Sequence, residues 1–305
     1  MKKIMIILIL ATLHCFNENN KIIANERFFS KSQDSIFKIL DFKGNAEIAQ
    51  YKGKVKRYNQ FRKAHLALIT VFEPFNLKQL VKSDTSQQYV LKQNQVLTYQ
   101  TGVYPYRQMN SLFWKPDLQL LKIVMTSQEW CGQSYKKITI NNKREVNLHF
   151  HTYWENEADG EYTYKIPDKY FLFYDELPLL LRFIEDDFYQ QKIKLFPMLM
   201  SSRVNQASWD IYTKIEKPDF KDALLSREKT KIKFKNKIIP IIKFTLEYNG
   251  LKDVYYFDWN HPYRILIKWE RNDGGYFELD HLSYAKYWEL NHKGDKLPEN
   301  VYRNH

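Results

Sequence analysis

With 305 residues, of which 44% are hydrophobic and 16% aromatic, the chain is long enough for one large folded domain and too apolar for a disordered one. Two cysteines exclude a disulfide scaffold. The formal net charge of +12 comes from lysines scattered among Asn, Ile and Tyr, which argues for a generally basic surface and against nucleic acid as a partner.

Met1-Lys2-Lys3 precede an apolar run over residues 4–13. A charged start followed by about ten apolar residues falls short of the roughly 20 that span a bilayer, and reads as a secretory leader over residues 1–14. Cys15 follows directly, where a lipoprotein leader places its acylated cysteine. His14 is not the small residue that pattern uses, so a cut after Ala24, which would remove Cys15, is the competing reading. The expected location is outside the cytoplasm, in the periplasm or at the outer membrane, lipid-anchored through Cys15 or soluble. Residues 15–40 read as a polar tether with a short helix over 26–40, and residues 41–305 as a single β-rich domain.

From Phe42 onward short apolar/polar alternations recur and Gly is scarce. Strands are expected around residues 46–51, over 64–71 and over 89–98, the second ended by Glu73-Pro74-Phe75 because proline has no N–H for a ladder. Gly102 to Tyr106 reads as a turn in which Gly102 supplies a positive φ. Residues 138–140 and 146–154 form a hairpin about Asn141-Asn142-Lys143; its second strand puts Val146, Leu148 and Phe150 on one face and His149 and His151 on the other. Residues 168–187 predict one helix, with Pro178 tolerable only in its first turn. The β signal then returns in the lysine-rich alternation 229–235, in Ile242-x-Phe244-x-Leu246-x-Tyr248, and in a meander over 253–259, 264–270 and 276–288. The expected fold is mainly β: a large antiparallel curved sheet, an open or half-closed barrel in the style of LolA or the lipocalins, holding one internal helix. A β-sandwich is the alternative.

Residues 119–135 concentrate the chemistry. A hydroxyl, an amide, a carboxylate, an indole and a thiol fall within Thr126-Ser127-Gln128-Glu129-Trp130-Cys131. Glu129 and Cys131 are the candidate catalytic pair, and Gln128, Trp130, Tyr104 and Tyr106 the candidate ligand-binding residues. Against catalysis, Glu129 opposes thiolate formation at Cys131, and a cysteine beside Trp130 in a sheet reads as a small buried hydrophobe. Gly132 suits a bulge or a close backbone approach, so the stretch also reads as a hydrogen-bonded strand junction. Glu129 with Glu47 or Glu73 would make a glycosidase-type carboxylate pair. His149 and His151 share a strand face and could begin a metal site, with Glu129 or Glu155 as a further ligand, but two histidines on the solvent side of a hairpin are the favoured reading, and no metal or other cofactor is expected. G-x-S-x-G, P-loop, Rossmann and H-E-x-x-H patterns do not occur.

Ala46-Glu47-Ile48, the stretch LITVFEPF from Leu68, TGVYPY from Thr101 and TSQEWCG from Thr126 resemble a family of exported bacterial β-rich proteins, many with lipoprotein-type leaders, to which no activity is attached. The likeness covers residues 40–155, and the meander more weakly. Some of its members carry the label "septum formation inhibitor Maf". Maf proteins are cytoplasmic pyrophosphatases with a Ser/Pro/Arg-rich phosphate motif that this chain lacks, so the label does not transfer. The leading functional expectation is a cell-envelope binding or structural domain, not an enzyme, with an aromatic-lined groove for lipid or another apolar ligand, or for an envelope partner protein. The alternative is an envelope hydrolase acting on glycan or peptide through Glu129 and Cys131.

Overall fold

The computed structural model describes residues 40, 44–141, 143–168, 170–205 and 217–302. The leader, Cys15 and the helix expected over 26–40 lie outside the described residues, apart from Leu40, which is buried in a turn.

Sixteen strands join one sheet. In chain order they are β1 (Ala46–Arg57), β2 (Gln60–Asn76), β3 (Val81–Lys82), β4 (Tyr89–Thr101), β5 (Tyr104–Trp114), β6 (Leu120–Glu129), β7 (Gly132–Ile140), β8 (Glu145–Thr152) and β9 (Asp159–Lys165). After these come β10 (Phe171–Phe173), β11 (Gln190–Phe196), β12 (Lys221–Phe234), β13 (Lys237–Tyr248), β14 (Leu251–Asp258), β15 (Leu266–Glu270) and β16 (Tyr276–Ala285). The order across the sheet is β10-β11-β12-β13-β14-β15-β16-β1-β2-β4-β5-β6-β7-β8-β9, with β3 against β2. All neighbours are antiparallel except β10 and β11.

The two edges, β9 and β10, are successive in the chain and joined only by residues 166–170. Six Cα steps reach at most about 20 Å, so the sheet has to curl until its edges nearly meet. The sheet is open and curved, as expected, and it is not a sandwich.

Four local expectations need correction. β2 runs through Pro74 to Asn76. β1 pairs with β2 only as far as Thr70, and the Phe75 N–H bonds toward the β4 side, to Gln88 O at 2.8 Å. The missing Pro74 N–H therefore faces the side that β1 has already left. There the two-residue β3 takes over and the Ser83 N–H still donates to Pro74 O at 3.1 Å, so at most one bond of a short edge ladder is lost. The β4–β5 turn does not place Gly102 at positive φ. Residues 168–187 are not one helix: β10 comes first, followed by a ten-residue helical segment made of 3-10 turns Tyr174–Glu176 and Leu181–Phe183 around α1 (Leu177–Leu180). Pro178 sits at the start of α1, where its absent N–H is an orphan in any case. Finally, β16 stops at Ala285, and Trp288 lies in a 3-10 turn.

The helical segment is buried along its whole length. It fills the inner face of the curl, where Leu177, Leu179, Leu180 and Phe183 join one core with Tyr51, Leu68, Leu112, Ile123, Leu246 and Phe257. Two small clusters lie apart from it: Ala46, Ile48, Val71 and Ala285, and Phe75, Val90 and Phe113.

Polar ties fix the segment as firmly as packing does. Arg182 forms a two-pronged ion pair with Glu47 (2.7 and 2.9 Å), and its Nε donates to Tyr263 O at 2.7 Å. Burial works against the Arg182 charge, and Glu47 outweighs it, raising the pKa above the ordinary arginine value. Trp114 Nε1 donates to Glu176 at 2.7 Å, Gln95 Nε2 to Asp175 O at 2.7 Å, and Tyr174 OH to Asp253 at 3.0 Å. The Glu47 of the Ala46-Glu47-Ile48 stretch is thus spoken for by the helical segment.

Candidate ligand site at the hairpin end

Antiparallel order sends alternate connections to the same end of the sheet. One end collects the β1–β2 turn at Tyr58-Asn59, the β4–β5 turn at Gly102-Val103, the β6–β7 turn at Trp130-Cys131, the β8–β9 connection with Tyr153 and Trp154, and the β15–β16 turn from Arg271 to Gly275. Residues 197–205, which leave β11 without strand pairing, cross the inner face at this end.

Trp130-Cys131 is a two-residue turn, because Glu129 pairs with Gly132. Trp130 is 73% exposed and Cys131 is a free, exposed thiol. The expectation of a buried cysteine therefore fails: a hairpin of this length leaves its two tip residues outside both faces of the sheet. The close backbone approach at Gly132 is real. A Cβ there would meet the Tyr153 ring at 2.4 Å.

Of the four ligand-binding candidates, the fold brings three together. The Tyr104 ring lies 6.1 Å from Trp130 and 5.8 Å from Tyr106. Gln128 is exposed on the opposite face from its neighbours Ser127 and Glu129.

The sequence reading missed the partners from other strands. Tyr106 stacks on Tyr99 at 4.8 Å. Arg57 Nη2 donates to Tyr106 OH at 2.8 Å, and its guanidinium lies over the Tyr58 and Tyr106 rings. The Tyr58 hydroxyl is shared with Tyr104 at 3.1 Å and Tyr106 at 2.8 Å. Tyr58 and Asn59 both hold positive φ (53° and 56°), the conformation of a tight hairpin turn. For a bulky tyrosine that backbone is strained, and the strain delivers its hydroxyl to the cluster. Partial burial works to raise the Tyr58 pKa, but the hydrogen bonds from Tyr104 and Tyr106 and the Arg57 charge outweigh it and lower the pKa. At Tyr106, burial and then the neighbouring Glu129 carboxylate push the hydroxyl up. Both Glu129 oxygens are shielded from solvent, and neither has a hydrogen-bond partner among the described residues.

Beneath this aromatic rim lies a cleft between residues 197–205 and the inner face. Its outer compartment, about 50 Å³, is walled by Arg57, Arg203, Arg271, Tyr99, Gln108 and Ser202. Its inner compartment, about 20 Å³, is walled by Leu66, Leu68, Leu97, Met198, Met200 and Phe277. Leu97, Met200 and Arg271 border both.

Side chains, not a strand ladder, hold the roof of the cleft. The buried Lys136 Nζ donates to Leu199 O (2.5 Å), Ser201 Oγ (3.0 Å) and Arg203 O (2.8 Å). Asp175 accepts from Leu199 N at 2.8 Å and from Asn110 Nδ2. Glu157 accepts from the N–H groups of Val204 (3.0 Å) and Asn205 (3.2 Å). Burial pushes the Lys136 ammonium down to about 7 and the Asp175 carboxyl up to about 6.

The remaining candidates do not converge on this end. His149 and His151 face outward on β8 and pair singly with Glu161 (3.2 Å) and Asp159 (3.0 Å). Among the described residues no group of three or more His, Cys, Asp or Glu comes together. Glu47 is taken by Arg182 and Glu73 by Lys92 at 3.2 Å, so neither makes a carboxylate pair with Glu129.

Comparison with family models, with curated proteins and with solved structures gave no match. Among the described residues no helix is long and apolar enough to cross a membrane.

Proposed function

We propose that the chain is a non-catalytic binding protein of the cell envelope that takes an apolar ligand past the aromatic rim into the cleft under residues 197–205. The observation that carries this reading is that exposed Tyr58, Val103, Trp130 and Tyr153 sit at the same end of the sheet as a cleft whose deep end is lined mainly by Leu, Met and aromatic side chains, with Gln95, Asp175 and Arg271 at its border. Exposed aromatics beside an apolar recess are a favourable surface for an apolar molecule to approach and enter.

In the closed form the two compartments hold far less than the roughly 300 Å³ at the small end of ligand sites, so uptake requires the roof to lift. The roof is suited to this. It lies outside the ladder, and Met198 and Met200 are unbranched side chains that repack readily. The helical segment, tied by Glu47, Trp114 and Asp253, stays in place. The leader and Cys15 would deliver the domain to the envelope, where acylation of Cys15 would hold it at a membrane; the mass of the mature N-terminus tests that part.

Titration with phenylnaphthylamine tests the binding reading. One mole of fluorophore per mole of protein, with affinity reduced in Trp130→Ala and Tyr104→Ala, is the expected result. A protein that takes up none has a solid core, and the reading falls.

The hydrolase alternative draws support from one observation, the unpartnered Glu129 carboxylate at the rim. Cys131 brings little to it, because its thiol is exposed at the tip of the turn and does not line the cleft. Folded Glu129→Gln and Cys131→Ser variants with an unchanged cellular phenotype would remove it.

A further inference from the structure

The two compartments of the cleft differ in chemistry as well as depth. Three arginines, Arg57, Arg203 and Arg271, line the outer one. Arg271 has a carboxylate partner in Asp273 at 3.2 Å. Among the described residues Arg57 and Arg203 form no ion pair: Arg57 meets the Tyr106 hydroxyl and the tyrosine rings, and Arg203 lies over the Trp154 ring at 4.4 Å. The wall therefore carries two positive charges without a counter-charge. In addition, Arg57 Nε is shielded from solvent and has no acceptor, an unspent donor. Lys136 does not share in this, since its three acceptors all belong to the roof. Glu129 does not wall the compartment; in strand order it lies beyond Tyr106 from Arg57.

We propose that the outer compartment is an oxyanion site, and that the ligand of the cleft is an anionic amphiphile with a compact phosphate or carboxylate head. The head sits among Arg57, Arg203 and Arg271, and the chain passes Met200 into the apolar compartment. This rests on the apolar-ligand reading above and adds the class of the headgroup. Guanidinium forks match the oxygen spacing of phosphate and carboxylate, and they keep their charge at any physiological pH. A space of about 50 Å³ suits a single compact oxyanion better than a bulkier head such as a sugar. Unlike the apolar compartment, this one needs no opening to receive its group.

The test displaces phenylnaphthylamine from the full chain with decyl phosphate, decanol or inorganic phosphate, and repeats the series in Arg57→Gln and Arg203→Gln. Decyl phosphate should displace at a concentration at least tenfold below that of decanol. Each arginine variant should lose most of that preference while its decanol displacement stays unchanged. Arg57→Gln also removes the bond to Tyr106, so Arg203→Gln is the arm that separates charge from folding, with near-ultraviolet circular dichroism as the check on both. Equal potency of decyl phosphate and decanol overturns the headgroup assignment and leaves the apolar reading standing. A preference that survives in both variants places the anion elsewhere and also overturns it. If the fluorophore is never taken up but inorganic phosphate binds by calorimetry in an Arg57- and Arg203-dependent way, the apolar reading falls and the pocket is a free-anion site. If neither probe binds, both ideas fail.

Discussion

Replacing Arg182 with Met should be among the most damaging single changes in the protein. The Glu47 and Arg182 side chains are 3% and 4% exposed, and their two-pronged pair joins β1 to the helical segment that fills the sheet. Removing the guanidinium leaves the Glu47 carboxylate buried without its cation and takes the donor from Tyr263 O. Breaking one side of such a pair costs about 3–5 kcal/mol, roughly a fifth or more of a typical domain's ~5–15 kcal/mol. At about 2–4 °C per kcal/mol for a chain of this size, the midpoint of thermal unfolding should drop by roughly 6–20 °C. The double variant Glu47→Leu/Arg182→Met should recover most of the loss, because desolvation of both charges disappears with their attraction. Urea unfolding followed by tryptophan fluorescence measures all three variants against wild type. A loss below about 1 kcal/mol in Arg182→Met, or a double variant that loses the sum of the single ones, would refute the claim that this pair holds the segment in place.

Lys136→Met should loosen the roof by removing the one ammonium that ties Leu199 O, Ser201 Oγ and Arg203 O together. Ser201 still donates to both carbonyls and the ammonium's burial is relieved, so the expected cost is about 1–3 kcal/mol in all, and limited proteolysis should then cut first within residues 197–205. The pH profile of stability carries the same group. With the native Lys136 pKa at about 7 against an ordinary 10.5, the unfolded chain binds more protons between those values, so stability rises with pH across that window. With Asp175 at about 6 against 3.8, the native chain binds more protons between them, so stability falls as pH rises through that range. The pair thus contributes a minimum near pH 6–7; the profile of Lys136→Met should lose the upper limb and that of Asp175→Asn the lower one. Trp130→Ala should leave stability within about 0.5 kcal/mol, since the indole is exposed, yet weaken binding of the apolar fluorophore by about 1 kcal/mol, roughly fivefold. Gly132→Ala should cost about 1–3 kcal/mol by driving a methyl against Tyr153 Cγ and Cβ at 2.4 and 2.7 Å, and it should cost less in a Tyr153→Gly background, which removes both atoms; an equal cost in both backgrounds in urea unfolding would place the strain elsewhere.

Where alternation is strong, the sheet was legible in the sequence. Val146, Leu148 and Phe150 face the core and His149 and His151 face out because the period of two admits no other arrangement. Pro178 likewise marked the start of the α-turn correctly. Other elements were not legible, for identifiable reasons. Pro74 is tolerated inside β2 only because β1 ends early, a fact about a neighbour that no local pattern contains. The helical segment is shorter than its apolar stretch because Phe171–Phe173 pair with β11, more than twenty residues further on. At the candidate site, Trp130, Tyr104 and Tyr106 could be picked out as polar-tipped aromatics near turns. Arg57, Tyr58, Arg203 and Arg271 could not, because they come from β1, its turn, the roof and the β15–β16 turn, and meet only through the curl of the sheet.

The division of labour inside the curl follows from where the polar groups fall. Along the helical segment the inner face presents Glu47, Gln95, Asn110 and Trp114, each bonded to a specific partner on the segment. Buried bonds of this kind are unforgiving: every one broken leaves an unsatisfied group, so the segment has a single seat and no easy way out of it. Toward the hairpin end the same face turns to Leu66, Leu68 and Leu97, and what covers them is a stretch held by Lys136, Asp175 and Glu157 outside any ladder. Apolar surface left by a lifted roof can be covered by any apolar chain, whereas the polar seat of the helical segment cannot. On the proposed reading, any opening would therefore fall to residues 197–205, and Arg57, Arg203 and Arg271 line the compartment where a molecule replacing that roof would place its charged end.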